Sequence, residues 1–102
     1  MTEQPLWQWS ACEMARAVAD RQVGCVEVME SAVGRLRATN DRINAVVDDL
    51  SDAALEQARA HDKALAAGET VGPLHGVPVT IKENIDQEGC ATPNGVAAYA
   101  GV

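Results

Sequence analysis

The chain has 102 residues, with 15 acidic side chains against 8 basic ones and a formal charge of −7. That balance argues against nucleic-acid and anionic-membrane partners, whose binding rests on Lys and Arg at phosphate, and no apolar run approaches the ~20 residues of a membrane helix. Hydrophobic residues make up 47% but aromatics only 3%, with no Phe, so one small core of Ala and Val is expected, less stabilising per residue than one of Leu and Phe.

The opening stretch MTEQPLWQWS carries Glu3 and has neither a basic n-region nor an apolar h-region, so a cytoplasmic location is expected. Helix 1 is predicted to start at Ser10. Ser10 and Glu13 have the spacing of a capping box, in which the serine accepts from a free backbone N–H and the glutamate reaches back. Ala11, Met14, Ala15 and Val18 then share one helical face, and Gly24 is the expected stop. Helix 2 is predicted over 26–39, with Cys25, Val28, Met29, Ala32, Val33 and Leu36 as its apolar stripe. Glu27 and Glu30 near its start and Arg35 and Arg37 near its end complement the helix dipole. Helices 1 and 2 are expected to form a helical hairpin.

Asn40-Asp41 is read as a turn, and 43–47 as a short strand or extended segment. Ser51 is the expected N-cap of helix 3, which runs to about Ala67 and stops at Gly68. Ala54, Leu55, Ala58 and Leu65 are assigned to its inner face. The acidic group Asp48, Asp49, Asp52 and Glu56 reads as a solvated face. Three widely spaced cysteines, Cys12, Cys25 and Cys90, argue against a disulfide framework and fit a reducing compartment. His61 and His75 complete no metal-ligand spacing.

The most informative stretch is Gly72 to Gly95, GPLHGVPVTIKENIDQEGCATPNG. Val77, Val79 and Ile81 alternate with Pro78, Thr80 and Lys82, which is the period of a strand. The strand would end on Lys82 and run into a loop rich in Asn, Asp, Gly and Pro. Residue type and spacing by themselves describe no more than a solvated lysine and a set of turns.

The run LHGVPVTIKENID, with Gly72-Pro73 before it and Gly89 and Thr92-Pro93-Asn94-Gly95 after it, closely resembles the first conserved block of the amidase signature family. The resemblance extends more weakly over the helical first half. It implies an α/β fold in which helices flank a mixed β-sheet. The chain would form the N-terminal helical region and first strands of an amidase domain that continues beyond it, a continuation for which the tail VAAYAGV, with no stop signal, also speaks. It implies hydrolysis of small-molecule carboxylic amides by a Ser–cis-Ser–Lys triad, without a cofactor or metal, and it places Lys82 at the triad lysine. A homodimer is compatible with it.

In such a triad the lysine takes a proton from the cis-serine, which in turn activates the nucleophile. That role needs a neutral amine near pH 7, whereas an unperturbed lysine titrates near about 10.4, so burial and fixed dipoles must supply the difference. Strand alternation would send Glu83 to the face opposite Lys82. Asn84 and Thr92 to Gly95 lie in the loop that the resemblance sets near the active site.

The serines are missing. Ser10, Ser31 and Ser51 are the only ones in the chain, and none has a Gly-rich setting beside an oxyanion hole. Three readings follow: a fragment of an amidase, a non-catalytic interaction module derived from an amidase N-terminus, and a thiol enzyme that pairs Cys90 with His75. For the third, an unpaired loop cysteine is the simpler account.

Overall fold

The computed structural model describes residues 4–82 and 84–91. A 3-10 turn over Leu6–Gln8 is followed by α1 (Ala11–Ala19), α2 (Cys25–Ile43) and α3 (Ser51–Ala66). Among the described residues there is no strand, so the helical half of the expected architecture is present and the mixed sheet is not. Residues 77–82 have no regular secondary structure. A strand owes its stability to a neighbouring strand, and no other described segment forms one.

Helix α1 starts as its sequence dictates. Ser10 Oγ accepts from the Glu13 backbone N–H at 3.1 Å, and the Ser10 N–H donates back to Glu13 Oε1 at 3.2 Å. The buried face is Met14, Ala17 and Val18, one step round from the expected stripe, with Ala11 left in solvent. Gly24 does not end this helix. The chain reverses earlier, at Arg21, a non-glycine residue with φ of 58°. Its guanidinium donates to the Leu65 carbonyl at 2.6 Å, in the last turn of α3, where orphan carbonyls favour a cation. That bond offsets part of the cost of a left-handed arginine.

Gly24 is instead the N-cap of α2, with φ of −90°. It has no side chain to accept the free N–H groups of the first turn. Glu27 Oε1 takes the Gly24 N–H at 3.1 Å. The next two donors go to a residue far along the chain: Cys25 N–H donates to Asp62 Oδ1 at 2.6 Å, and Val26 N–H to Asp62 Oδ2 at 3.2 Å. Helix α3 therefore supplies the cap that α2 lacks.

α2 passes through the expected turn at Asn40-Asp41 and continues to Ile43, closing on the left-handed Asn44, φ 48°. The Asn40 side chain is the reason that the break comes later. It accepts from Val46 N–H and donates to the Val46 carbonyl, both at 2.9 Å, so its turn-forming chemistry acts on the segment after the helix. Of the short strand or extended segment expected over 43–47, Ile43 is the last residue of α2, and no strand forms in the loop that follows. α3 is capped by Leu50, not Ser51. Asp49 Oδ1 accepts from the Ser51 N–H at 2.9 Å and also from the Ser51 hydroxyl.

α2 packs chiefly along α3, and the 3-10 turn lies across α2, so the main helical pairing is α2 with α3 rather than α1 with α2. Trp7 N–H donates to Ser31 Oγ at 3.0 Å, and the Arg35 guanidinium carbon sits 4.3 Å from the Trp7 ring centre. The core is Met14, Val18, Cys25, Val28 and Ala58, with Leu6, Trp9, Val23, Val26, Met29, Leu65 and Val77 packed round it. Apart from Met14 its members are small, as the composition implies, and each fully buried Val contributes roughly 1.5–3 kcal/mol.

Burial alone would raise the Asp62 carboxyl, but the hydrogen bonds from Cys25 and Val26, with His75 nearby, outweigh it and hold Asp62 below the usual carboxylate range. A depressed folded value stabilises the fold above the unfolded value of about 3.9, and the contribution is lost as pH falls through the folded value. Asp62→Ala is expected to lower stability by about 1 kcal/mol, as for loss of a helix cap. In urea titrations from pH 7 downward the substituted chain should lose less stability below about pH 4. Equal acid sensitivity in both chains would contradict the cap.

Candidate active site

Residues 72–76 make the approach to the lysine segment. His75 N–H donates to the Gly72 carbonyl at 3.2 Å and Val77 N–H to the Leu74 carbonyl at 3.1 Å, closing a double turn whose last residue, Gly76, has φ of +83°. The turn rests on α3 through His75. Its Nε2–H donates to the His61 carbonyl at 3.0 Å, and the two imidazole rings lie 4.7 Å apart at 46°. Val77 packs against the core. Beyond it the chain leaves the helices: Val79 is 74% exposed and Ile81 50%.

The expected apolar face of a strand beside Lys82 is thus only begun, at Val77. Lys82 itself is exposed. Its carbonyl accepts from the Ile85 N–H at 3.0 Å, which folds the chain back after the lysine, and Ile85 is 57% exposed. Asn84 is exposed in this turn. Glu83 and Thr92 to Gly95 lie outside the described residues.

Each serine already has a structural task. Ser10 caps α1, Ser31 accepts from Trp7, and Ser51, 6% exposed, donates to Asp49. Those bonds to Ser51, the side-chain one foremost, hold the Asp49 carboxyl below its usual range. No serine stands beside Lys82 in these contacts.

The thiol reading fails on geometry and on charge. His75 is engaged with His61, not with Cys90. Burial and the neighbouring Asp48 carboxylate push the Cys90 thiol up, away from the thiolate that a nucleophile requires. Cys25 is fully buried, and burial together with its hydrogen bond to Asp62 pushes its thiol to about 12. Among the described residues no three His, Cys, Asp or Glu side chains are grouped to hold a metal ion, and no helix is long and apolar enough to cross a membrane. A shallow groove of about 190 Å³ beside the α2 N-terminus is lined by Arg21, Val23, Glu27, Asp62 and Leu65, among others, and Lys82 is not one of them.

Sequence reasoning passed over Asp62 and weighed His61 only as a metal ligand, not as the residue whose carbonyl holds His75. The one available signal was negative: the start of helix 2 offered Gly24-Cys25 where a side-chain acceptor is usual, so an acceptor had to come from elsewhere.

The chain belongs to the amidase signature family: the family described as Amidase matches residues 27–102. It is similar to an indoleacetamide hydrolase of Bradyrhizobium diazoefficiens, 52% identical over 92% of this chain and 18% of that protein. It is also similar to an acylamidase of Rhodococcus erythropolis, 39% identical over 98% of this chain and 21% of the relative. One subunit of the glutamyl-tRNA(Gln) amidotransferase of Salinispora arenicola is 39% identical over 90% of this chain and 19% of its own length. The chain therefore spans about a fifth of the length of these curated relatives. No solved structure matches it.

The thiols give a direct check of the packing. With iodoacetamide at pH 8, exposed Cys12 should label first and buried Cys25 only on unfolding. Cys90 should label slowly, and Asp48→Asn should speed it. Cys90 labelling as fast as Cys12, unaffected by Asp48→Asn, would contradict the arrangement.

Proposed function

We propose that this chain supplies the triad lysine, Lys82, and the helical layer beneath it, to an amidase that hydrolyses linear carboxylic amides. The observation that carries the reading is the segment LHGVPVTIKENID, which lies inside the region matched by the family. The relative at 52% identity is named for indoleacetamide, so a primary aryl acetamide is the first substrate class to assay.

The chemistry divides between this chain and what lies outside it. A serine oxygen attacks the amide carbon, its proton passing by way of the cis-serine toward the Lys82 amine. The C–N bond then breaks, the proton leaves with the amine or ammonia, and water cleaves the serine ester to release the carboxylate. Ser10, Ser31 and Ser51 are occupied structurally, so both reacting serines come from outside these 102 residues. The same holds for the low-dielectric surroundings that a neutral lysine requires, since Lys82 is exposed here.

Exposed Val79 and Ile81 gain their burial in the same way, as part of a mixed sheet completed by the remainder of the enzyme, the chain being the N-terminal part of one amidase domain. Its partner is then a small amide rather than nucleic acid or membrane, and the three free cysteines suit a cytoplasmic setting.

In the complete enzyme Lys82→Ala should abolish amide hydrolysis while leaving the circular dichroism spectrum and melting temperature near those of the parent. Near-native turnover in that variant would remove Lys82 from the chemistry.

A further inference from the structure

At Gly76 the lysine segment lies directly against the helical layer. A Cβ built there would stand 2.7 Å from Cys25 Sγ and 3.2 Å from Val18 Cγ1. Cys25 and Val18 are both 0% exposed. Neither neighbour can give way easily. Cys25 is the first residue of α2, and both its backbone N–H and its thiol are bound to Asp62. Val18 is packed in the centre of the core. The positive φ independently favours glycine at this position.

The residues on either side are held as well, His75 by the His61 carbonyl and Val77 by the core. After Val77, Pro78 is half-buried and residues 79–82 are exposed. The joint formed by His75, Gly76 and Val77 is therefore what precedes the exposed stretch that ends on Lys82. In the sheet proposed above, a slip of one residue turns every later side chain to the opposite face. Whatever seats Gly76 thus sets which face Lys82 presents and how far it stands from the layer.

We propose that Gly76 and Cys25 are positioning residues for Lys82, the glycine seated on the buried thiol fixing the height and register of the lysine segment. This rests on the reading of Lys82 as the triad lysine. Neither residue touches substrate. Their contribution is that the Lys82 amine arrives where a serine can use it, and a misplacement of about 1 Å from a change remote from the chemistry can cost roughly 100-fold in rate.

The test is a double-mutant cycle in the complete enzyme, with turnover expressed per titrated active site. Gly76→Ala should lower kcat by up to about 100-fold with KM little changed. Cys25→Ala, which empties the seat without backbone strain, should lower kcat less. The double variant should recover part of the Gly76→Ala loss, because the sulfur that the new methyl meets is gone, so the two effects are not additive. Hydrogen exchange should quicken over 77–82 in Gly76→Ala and stay unchanged in α2 and α3.

Wild-type kcat per site in Gly76→Ala, or strict additivity, overturns the proposal. If Gly76→Ala yields no folded enzyme, Cys25→Ala decides alone, and wild-type kcat there overturns it equally. Lys82→Ala, run alongside, separates the two ideas. Its retaining activity removes the catalytic reading, while the exchange data still report whether Gly76 seats the segment.

Discussion

The Asp62 carboxylate laid across the start of α2 is the interaction on which the rest of this structure depends. Gly24 gives the helix no side-chain cap, and the first-turn donors of a helix cannot be left unsatisfied against a packed neighbour. By accepting from Cys25 and Val26, Asp62 satisfies two of them and ties α3 to α2 at one end. Arg21 ties the α1–α2 connection to the last turn of the same helix. Beside these two bonds the small side chains of Val18, Cys25, Val28 and Ala58 pack together. The same carboxylate fixes Cys25, and Cys25 is the floor on which Gly76 rests. One buried-edge acid thus connects helix capping to the placement of the segment that bears Lys82.

Helices and strands stand differently in this chain for a reason of principle. A helix satisfies its backbone from within and needs only an apolar face to bury, which three amphipathic segments can offer one another. A strand needs hydrogen-bond partners in another strand. The helical layer is accordingly built, while the lysine segment has one end in the core and leaves Val79, Ile81 and Ile85 outside. In the reading proposed above these are the side chains that the sheet takes in, and the chain spans about a fifth of the length of its curated relatives.

Local patterns were legible in the sequence. The Ser10–Glu13 box lies within one turn and forms as read. The inner faces of α2 and α3 follow helical spacing. What was not legible depended on contacts between distant residues. Gly24 looks like a helix stop until Asp62 makes it a helix start. Asn40 looks like a turn until its side chain is found on Val46. His75 and Cys90, paired on sequence for their chemistry, are drawn to different neighbours, His61 and Asp48. The alternation of Val77, Val79 and Ile81 reads as a strand, yet pattern alone does not supply the second strand.

On this reading the chain contributes the lysine of a three-residue machine and none of its serines. A fluorophosphonate, which forms a covalent adduct with an activated serine, tests that division when applied to the complete enzyme and followed by peptide mapping. We expect an adduct on a serine outside residues 1–102, formed far more slowly after Lys82→Ala. An adduct on Ser10, Ser31 or Ser51, or one whose rate is indifferent to Lys82, would contradict it.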